Sequence, residues 1–390
     1  MIAYNSVLNQ MDIISKLPHA ETSIFPLMTG LANKHGAINL AQGFPGFGAD
    51  PRLLNLICEY TKKGFNQYAP LTGVMKLKES LSRKAEKAGG RYYHPESEIC
   101  ITAGATQAIY TAITAVVNEG DEVLIIDPSY DCYEPAVVLN KGVPVRSALI
   151  KGSYQVDWED VKSKISANTK VIMINSPHNP TGSVWGQSDI DTLVEIVSGT
   201  NILIISDEVY EHLVFDGEKH LSICNVPALA ERAFVVYSFG KTYHLTGWRV
   251  GYALAPKFLM DEFVKCHQFQ IYAVNTPIQH AIAEYSQDEN THLTLNDFFQ
   301  TKRDFFLNCV KGSRFEALTP KGTYFALLDY SKITDENDRS FADRLTIDHG
   351  VASIPISAFF KDKRQDQVLR FCFAKENDEL ERAAEKLMSV

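Results

Sequence analysis

Four short stretches carry side chains that could do chemistry. The first is SFGKTYHLTGWRVGY, 238–252, in which Lys241 follows an apolar run and stands near Ser238, Thr246 and Arg249. Gly240-Lys241-Thr242 invites a phosphate-loop reading. That motif needs a glycine five residues before Gly240, and Val235 is there instead. What remains is a lysine beside a serine and an arginine. Such a lysine is ordinarily a solvated loop charge, but in a dry cleft it loses its proton and becomes a nucleophilic amine. Ser238 and Arg249 could bind a phosphate, the guanidinium supplying paired donors.

The second stretch is SDEVYEH, 206–212, where Asp207 and Tyr210 end another apolar run. An acid there either caps a helix or stands against a pyridine nitrogen, keeping it protonated so that the ring can accept electrons. The third, NSPHNPTG, 175–182, is a stiff loop. Its Asn179 is either a turn residue or a hydrogen-bond donor to a phenolate oxygen. The fourth, TAGATQA, 102–108, puts Gly104, Ala105 and Thr106 at a helix start, where free N–H groups attract anions. Each alone has an ordinary structural explanation. Together, and in this order along one chain, they describe an anion site, phenolate donors, an acid for a ring nitrogen and an amine.

Strands must position these groups. Short β-branched runs at 98–104, 121–128, 143–149, 170–177, 201–208, 233–240 and 249–256 alternate with helical periods, of which 108–117 and 190–197 are the clearest. Ser188 with Asp191 three residues on predicts the cap of the second helix. Strand–helix alternation predicts an α/β fold, a largely parallel sheet covered on both faces, with ligands beyond the carboxyl ends of its strands. After residue 288 the pattern changes to charged helical segments around two short strands, 323–329 and 368–374, which predicts a smaller α+β domain. The charge cluster 335–339 (DENDR) reads as a solvated turn.

Bulk properties narrow the partners. The chain has 390 residues and a formal net charge of −9, with no basic surplus to neutralise nucleic-acid phosphates or an anionic membrane. Seven scattered cysteines include no C-x-x-C pair or metal knuckle, so no metal site is expected. Their odd number and wide spacing point to reduced thiols and a cytoplasmic protein. The first twenty residues lack the pattern of a secretory signal, and no stretch approaches the ~20 apolar residues of a membrane span.

With these motifs assembled, the sequence resembles the class I aminotransferases of the fold-type I pyridoxal 5′-phosphate enzymes. The likeness runs from NLAQGFPGF, 39–47, to LRFCFAK, 369–375, and rests on S-x-G-K-[TS]-x-x-x-x-G-x-R-x-G after HNPTG and SDEVYEH. DCYEP, 131–135, adds similarity to the methionine aminotransferase and kynurenine/glutamine transaminase branch.

The resemblance implies an N-terminal arm with part of the small domain at 1–47, a large cofactor domain at 48–288 carrying a seven-stranded, mostly parallel sheet sandwiched by helices, and a small domain at 289–390. It implies that Lys241 carries the cofactor as a Schiff base and shuttles the substrate α-proton. By the same likeness Asp207 pairs with the pyridine nitrogen, and Asn179 and Tyr210 hold the phenolic oxygen. Ser238, Arg249 and the N–H groups of Ala105 and Thr106 hold the phosphate, and Tyr130 stacks on the ring, where many relatives have Phe. Arg370 takes the substrate α-carboxylate with Gly43 and Asn179. Tyr68 reaches the neighbouring subunit's phosphate, so a homodimer with shared sites is implied.

For the substrate, the likeness implies an uncharged apolar or aromatic L-amino acid, methionine favoured, with a 2-oxo acid acceptor. Phe25 at the entrance, Tyr130, Tyr272 and the loop 357–360 would surround its side chain, with either Phe359 or Phe360 facing in. The segment 267–280, HQFQIYAVNTPIQH, has no Arg or Lys for a distal carboxylate. The same residues would also serve a cysteine-conjugate C–S β-lyase, which diverges only after proton removal. A non-catalytic ligand sensor on this fold would need a basic DNA-binding head, which an acidic chain of this pattern does not suggest.

Overall fold

The structure, a computed structural model, describes residues 14–390 apart from His19. The N-terminal stretch read above for a secretory signal lies mostly outside these residues, as does the start of the 1–47 arm.

All seven runs form strands, and all join one sheet. In order across it they are Ile99–Thr102, Gly251–Leu254, Ala233–Ser238, Leu203–Asp207, Thr169–Asn175, Glu122–Asp127 and Val143–Ala148. Gly251–Leu254 runs antiparallel to both neighbours, and every other pairing is parallel. Side chains alternate between the two faces. Leu124, Ile172, Ile174, Ile204 and Val235 pack into one core, and Val123, Ile125, Val171, Ile205 and Val236 into the other. Because both faces are covered, these strands read as unbroken apolar runs. Each such chain contributes about 1.5–3 kcal/mol when fully buried. The parallel strands end at the same edge of the sheet, and the motif loops leave from there.

The helix after the first strand spans Ala105–Val116 and begins directly at Gly104, earlier than its periodicity suggests. The other predicted helix spans Gln187–Val197, and its start differs from expectation. Ser188 lies inside it. The cap is Asp189, whose carboxylate accepts the Gly186 N–H at 2.8 Å and the Trp158 indole N–H at 2.8 Å. A tryptophan distant in sequence thus helps to set the helix start.

The C-terminal part holds a four-stranded sheet. Phe325–Asp329 pairs antiparallel with Val368–Cys372, placing Leu327 opposite Arg370, and Glu316–Leu318 and Ile354–Pro355 flank them. Here the reading of 335–339 as a solvated turn fails. Asn337 caps the helix Asp338–Asp348, and Asp338 is fully buried. Its carboxylate accepts the Ser357 N–H at 2.7 Å and the Ser357 hydroxyl at 2.6 Å. A buried acid is tolerated because two donors satisfy it, and the result is to anchor the turn Ile356–Phe359. No helix among the described residues is long and apolar enough to cross a membrane.

Candidate active site

Asp207 is the last residue of its strand and is buried. It accepts the Tyr133 hydroxyl at 2.7 Å and the Val209 N–H at 3.3 Å. Burial nevertheless pushes its carboxyl up to about 6, outweighing these hydrogen bonds and the charge of Lys241. One strand over, Asn175 ties this corner together. Its side-chain amide donates to Asp207 O at 2.7 Å, and its Oδ1 accepts the Asn179 N–H at 2.8 Å.

Lys241 sits in a single helical turn, Phe239–Thr242, directly after the Ala233–Ser238 strand. Its Nζ donates to Gly43 O at 3.2 Å and to the Tyr324 hydroxyl at 3.0 Å, and Tyr324 also donates to Gly43 O at 2.7 Å. The rings of Tyr210 and Tyr324 lie 5.5 and 5.6 Å from Nζ. Burial pulls the ammonium down to about 8, with Arg370 and Arg249 acting in the same sense. An amine that can shed its proton near neutral pH is a competent nucleophile and base.

Arg370 is almost completely buried, and no carboxylate pairs with it among the described residues. Its guanidinium donates to Asn179 Oδ1 at 2.8 Å and to Ala41 O at 3.1 Å, and its Nε has no partner. Burial pulls it down to about 10. Three rings surround it: Phe325 at 3.9 Å, Phe359 at 5.1 Å and Phe25 at 5.3 Å. Phe25 and Phe359 also meet edge to face at 5.9 Å. This decides between the two phenylalanines of the loop. Phe359 faces the arginine, whereas Phe360 lies under Arg364, 4.1 Å from its guanidinium carbon.

Arg249 stands against the start of Ala105–Val116. Gly104 has φ 79°, and a Cβ there would stand 2.6 Å from an Arg249 guanidinium nitrogen. Only glycine admits both the conformation and the close approach. Arg249 itself has φ 53° and is exposed; its Nη1 donates to Thr246 O at 2.9 Å. The first N–H groups of the helix, at Ala105 and Thr106, have no intrahelical acceptor. Ser238 ends its strand close by, and among the described residues its hydroxyl donates to no protein group. The Tyr130 hydroxyl meets the Thr106 side chain, and its ring stands edge-on to Tyr133 at 6.0 Å.

The structure therefore gathers Lys241, Asp207, Tyr210, Asn179, Gly43, Arg370 and Phe25 around one cleft, with Ser238, Arg249, Ala105, Thr106 and Tyr130 at the sheet edge beside it. Tyr68 is not among them. It is 83% exposed and packs on Tyr272, ring to ring at 5.3 Å. Tyr272, placed above with the substrate side chain, lies on that same outer face, 48% exposed. Three residues given no role above complete the cleft: Tyr324, Tyr133 and Asn175.

The model of the family described as aminotransferase class I and II matches residues 36–387. The chain belongs to the class I and II aminotransferases. It is 46% identical to methionine aminotransferase of Escherichia coli over 96% of this chain and 98% of that protein. It is 32% identical to kynurenine–oxoglutarate transaminase of Dictyostelium discoideum over 94% of both chains. The crystal structure of YbdL from Escherichia coli, described as identifying a methionine aminotransferase function, superposes with a TM-score of 0.95 at 45% identity, covering 97% of this chain and 99% of that one. The fold is that of the fold-type I aminotransferases, and the cofactor of this family is pyridoxal 5′-phosphate.

The residues present fit that cofactor. Gly104 lets the Arg249 guanidinium stand close to the free N–H groups of the helix start, and these donors together suit a phosphate. Asp207, buried and with no ion pair among the described residues, suits a protonated ring nitrogen. The Asn179 side-chain N–H₂ has no protein acceptor among the described residues and could donate to a phenolate, because its oxygen is already held by Arg370.

Proposed function

We propose that this aminotransferase moves the amino group of an uncharged, apolar or aromatic L-amino acid to a 2-oxo acid, with methionine the preferred donor. The observation that carries the donor class is the surround of Arg370. One buried guanidinium awaits one carboxylate, and its other neighbours are the rings of Phe25, Phe325 and Phe359. A thioether against an aromatic ring gains about 0.3–1.5 kcal/mol, which favours methionine over leucine. The similarity to methionine aminotransferase supports the same choice.

Within this reading Arg370 and Asn179 orient the substrate α-carboxylate, with Gly43 beside them. Ser238, Arg249 and the N–H groups of Ala105 and Thr106 hold the cofactor phosphate, Tyr130 covers the ring, and Asp207 faces the ring nitrogen. Tyr210 and Asn179 hold the phenolic oxygen. Bound pyridoxal 5′-phosphate supplies an electron sink for the charge that develops at the substrate α-carbon. Lys241 Nζ takes the proton from that carbon, and the Gly43 carbonyl and Tyr324 hydroxyl fix where it waits. The Asp338 carboxylate, through Ser357, holds Phe359 against the arginine. We place the cleft between a large domain, 48–288, and a small one built from 1–47 and 289–390, since Phe25, Gly43, Tyr324 and Arg370 come from the latter.

Donor selectivity tests the reading. With one fixed 2-oxo acid, kcat/KM for methionine and phenylalanine is expected to exceed that for aspartate by roughly a hundredfold, the cost of a buried, unpaired distal carboxylate. Aspartate or glutamate outrunning methionine would overturn the assignment. Release of pyruvate and ammonia from a cysteine conjugate, with no acceptor present, would show a C–S lyase instead.

We also propose a homodimer. Tyr68, Phe269, Ile271 and Tyr272 are exposed aromatic or apolar side chains close in the chain or in contact, with Phe269 85% exposed. An apolar patch of this kind marks an association surface. Sedimentation is expected to give twice the chain mass, and Tyr68→Ala to weaken cofactor retention across the interface. A fully active monomer would refute both statements.

A further inference from the structure

The SDEVYEH stretch contains more chemistry than the cleft uses. Asp207 and Tyr210 point to it, but Glu211 and His212 line a second chamber. A cavity of about 650 Å³ lies between the helix Met75–Lys87 and the Gly251–Leu254 side of the sheet. Its size is that of a small-molecule site, against about 30 Å³ for one water. Phe239, Thr242 and Tyr243 line it, so it backs directly onto the helical turn that carries Lys241.

Its walls are flat and aromatic. Tyr237 and Tyr252 stack at 4.8 Å with an interplanar angle of 20°, and Phe239 and Tyr243 are nearly parallel at 8°. Its charges are already matched. Lys84 pairs with Glu211, and Lys87 with Glu289. Behind the wall, Glu208 is tied by His220 at 2.8 Å, the Ile223 N–H at 3.0 Å and the Tyr237 hydroxyl at 3.1 Å. Burial alone would raise the Glu208 carboxyl, but these partners hold it below the usual range. Of the lining cations only Arg83 has no ion pair among the described residues, and it is exposed.

What is left unmatched is hydrogen-bond capacity. The Asn225 amide donates to Ala88 O at 2.9 Å, which leaves its Oδ1 buried and without a partner. His220 commits Nε2 to Glu208, and its Nδ1 is buried without a partner. His212 Nε2 and His292 Nδ1 are also buried without partners, and burial holds both rings uncharged, His292 down to about 4. No cluster of these groups is arranged to hold a metal among the described residues.

We propose that this cavity is a second ligand site, specific for a small, uncharged, planar aromatic molecule bearing ring N–H donors, of the indole or purine type. The aromatic walls receive the ring, Asn225 Oδ1 takes an N–H donor, and the balanced charges disfavour ions. The assignment is independent of the identity of the amino donor.

Indole and adenine, with benzoate and benzylamine as charged controls, can be titrated against the holoenzyme by calorimetry and ligand-observed NMR. At least one of the two neutral probes is expected to bind once per chain, without displacing a donor-site inhibitor, and more tightly than either control. Ala85→Trp, in the helix Met75–Lys87, and Ala88→Trp, just past its end, both lining the cavity, should each abolish that binding while leaving the cofactor spectrum and transamination intact. Asn225→Ser should weaken it by about tenfold, the loss of one hydrogen bond. Should one Trp variant fail to fold, the other decides. A site filled by water alone in a crystal soaked with both probes, binding that survives the Trp variants, or tighter binding of a charged control would overturn the proposal.

Discussion

Lys241→Ala is expected to keep pyridoxal 5′-phosphate and to lose transamination by about 10⁴-fold or more, the upper range for removing a positioned base. The lysine has two duties, as the amine that joins the cofactor and as the base at the substrate α-carbon, and alanine serves neither. On the proposed reading the remaining holds on the cofactor do not involve residue 241: the phosphate partners Arg249 and Ser238 beside Gly104, the Asp207 carboxylate, and the Asn179 and Tyr210 side chains. Cofactor content measured by phosphate should therefore stay near one per chain. Borohydride should attach the cofactor covalently to the wild-type peptide containing Lys241 and leave the variant unlabelled. Small primary amines in solution should restore part of the rate. Turnover at the wild-type rate would remove Lys241 from the mechanism.

Asp207→Ala is expected to lower kcat by at least about 10²-fold, the usual loss when one preorganised electrostatic partner of a developing charge is deleted. The effect should exceed that of Tyr133→Phe. That substitution removes one hydrogen bond from the carboxylate but leaves the charge, and the hydroxyl donates at 2.7 Å. A merely local role for Asp207, accepting the Val209 N–H at 3.3 Å, predicts loss of thermal stability with near-normal kcat in the protein that remains folded. Measuring kcat and Tm on the same preparations separates the two.

The sheet was legible because six of its seven strands are buried on both faces. Such strands are largely apolar, short and bounded by turn residues, and the half-exposed edge strand Val143–Ala148 was placed by its β-branched start and its spacing from the others. The proposed cofactor residues other than Tyr68 could be placed for a related reason: each lies within a few residues of a strand end, where sequence distance from a buried run fixes position in space. Tyr324 escaped because its meaning comes from a contact 83 residues away, with Lys241, across two sheets. Tyr133 and Asn175 escaped because they act on Asp207 rather than on a ligand, and nothing in their spacing marks that. The choice between Phe359 and Phe360 depends on which guanidinium each meets, Arg370 or Arg364, and adjacent residues carry no such information. Asp338 was misread because a run of charges is ordinarily solvated. Ser357, distant in sequence and brought in beside the small sheet, supplies two of the donors that its burial needs.

Arg370 has a consequence for the life of the protein before it meets substrate. It is a guanidinium in a dry interior, with Nε unmatched and with neutral oxygens alone to receive its other donors. A hydrophobic residue of similar length would make the unliganded chain more stable, since isolated buried charge is costly. The protein is thus built with a fault in its core that only the carboxylate of an amino or 2-oxo acid repairs. Its thermodynamic resilience is lent to it by its metabolites, and a chain selected for hardiness alone would lose this arginine first.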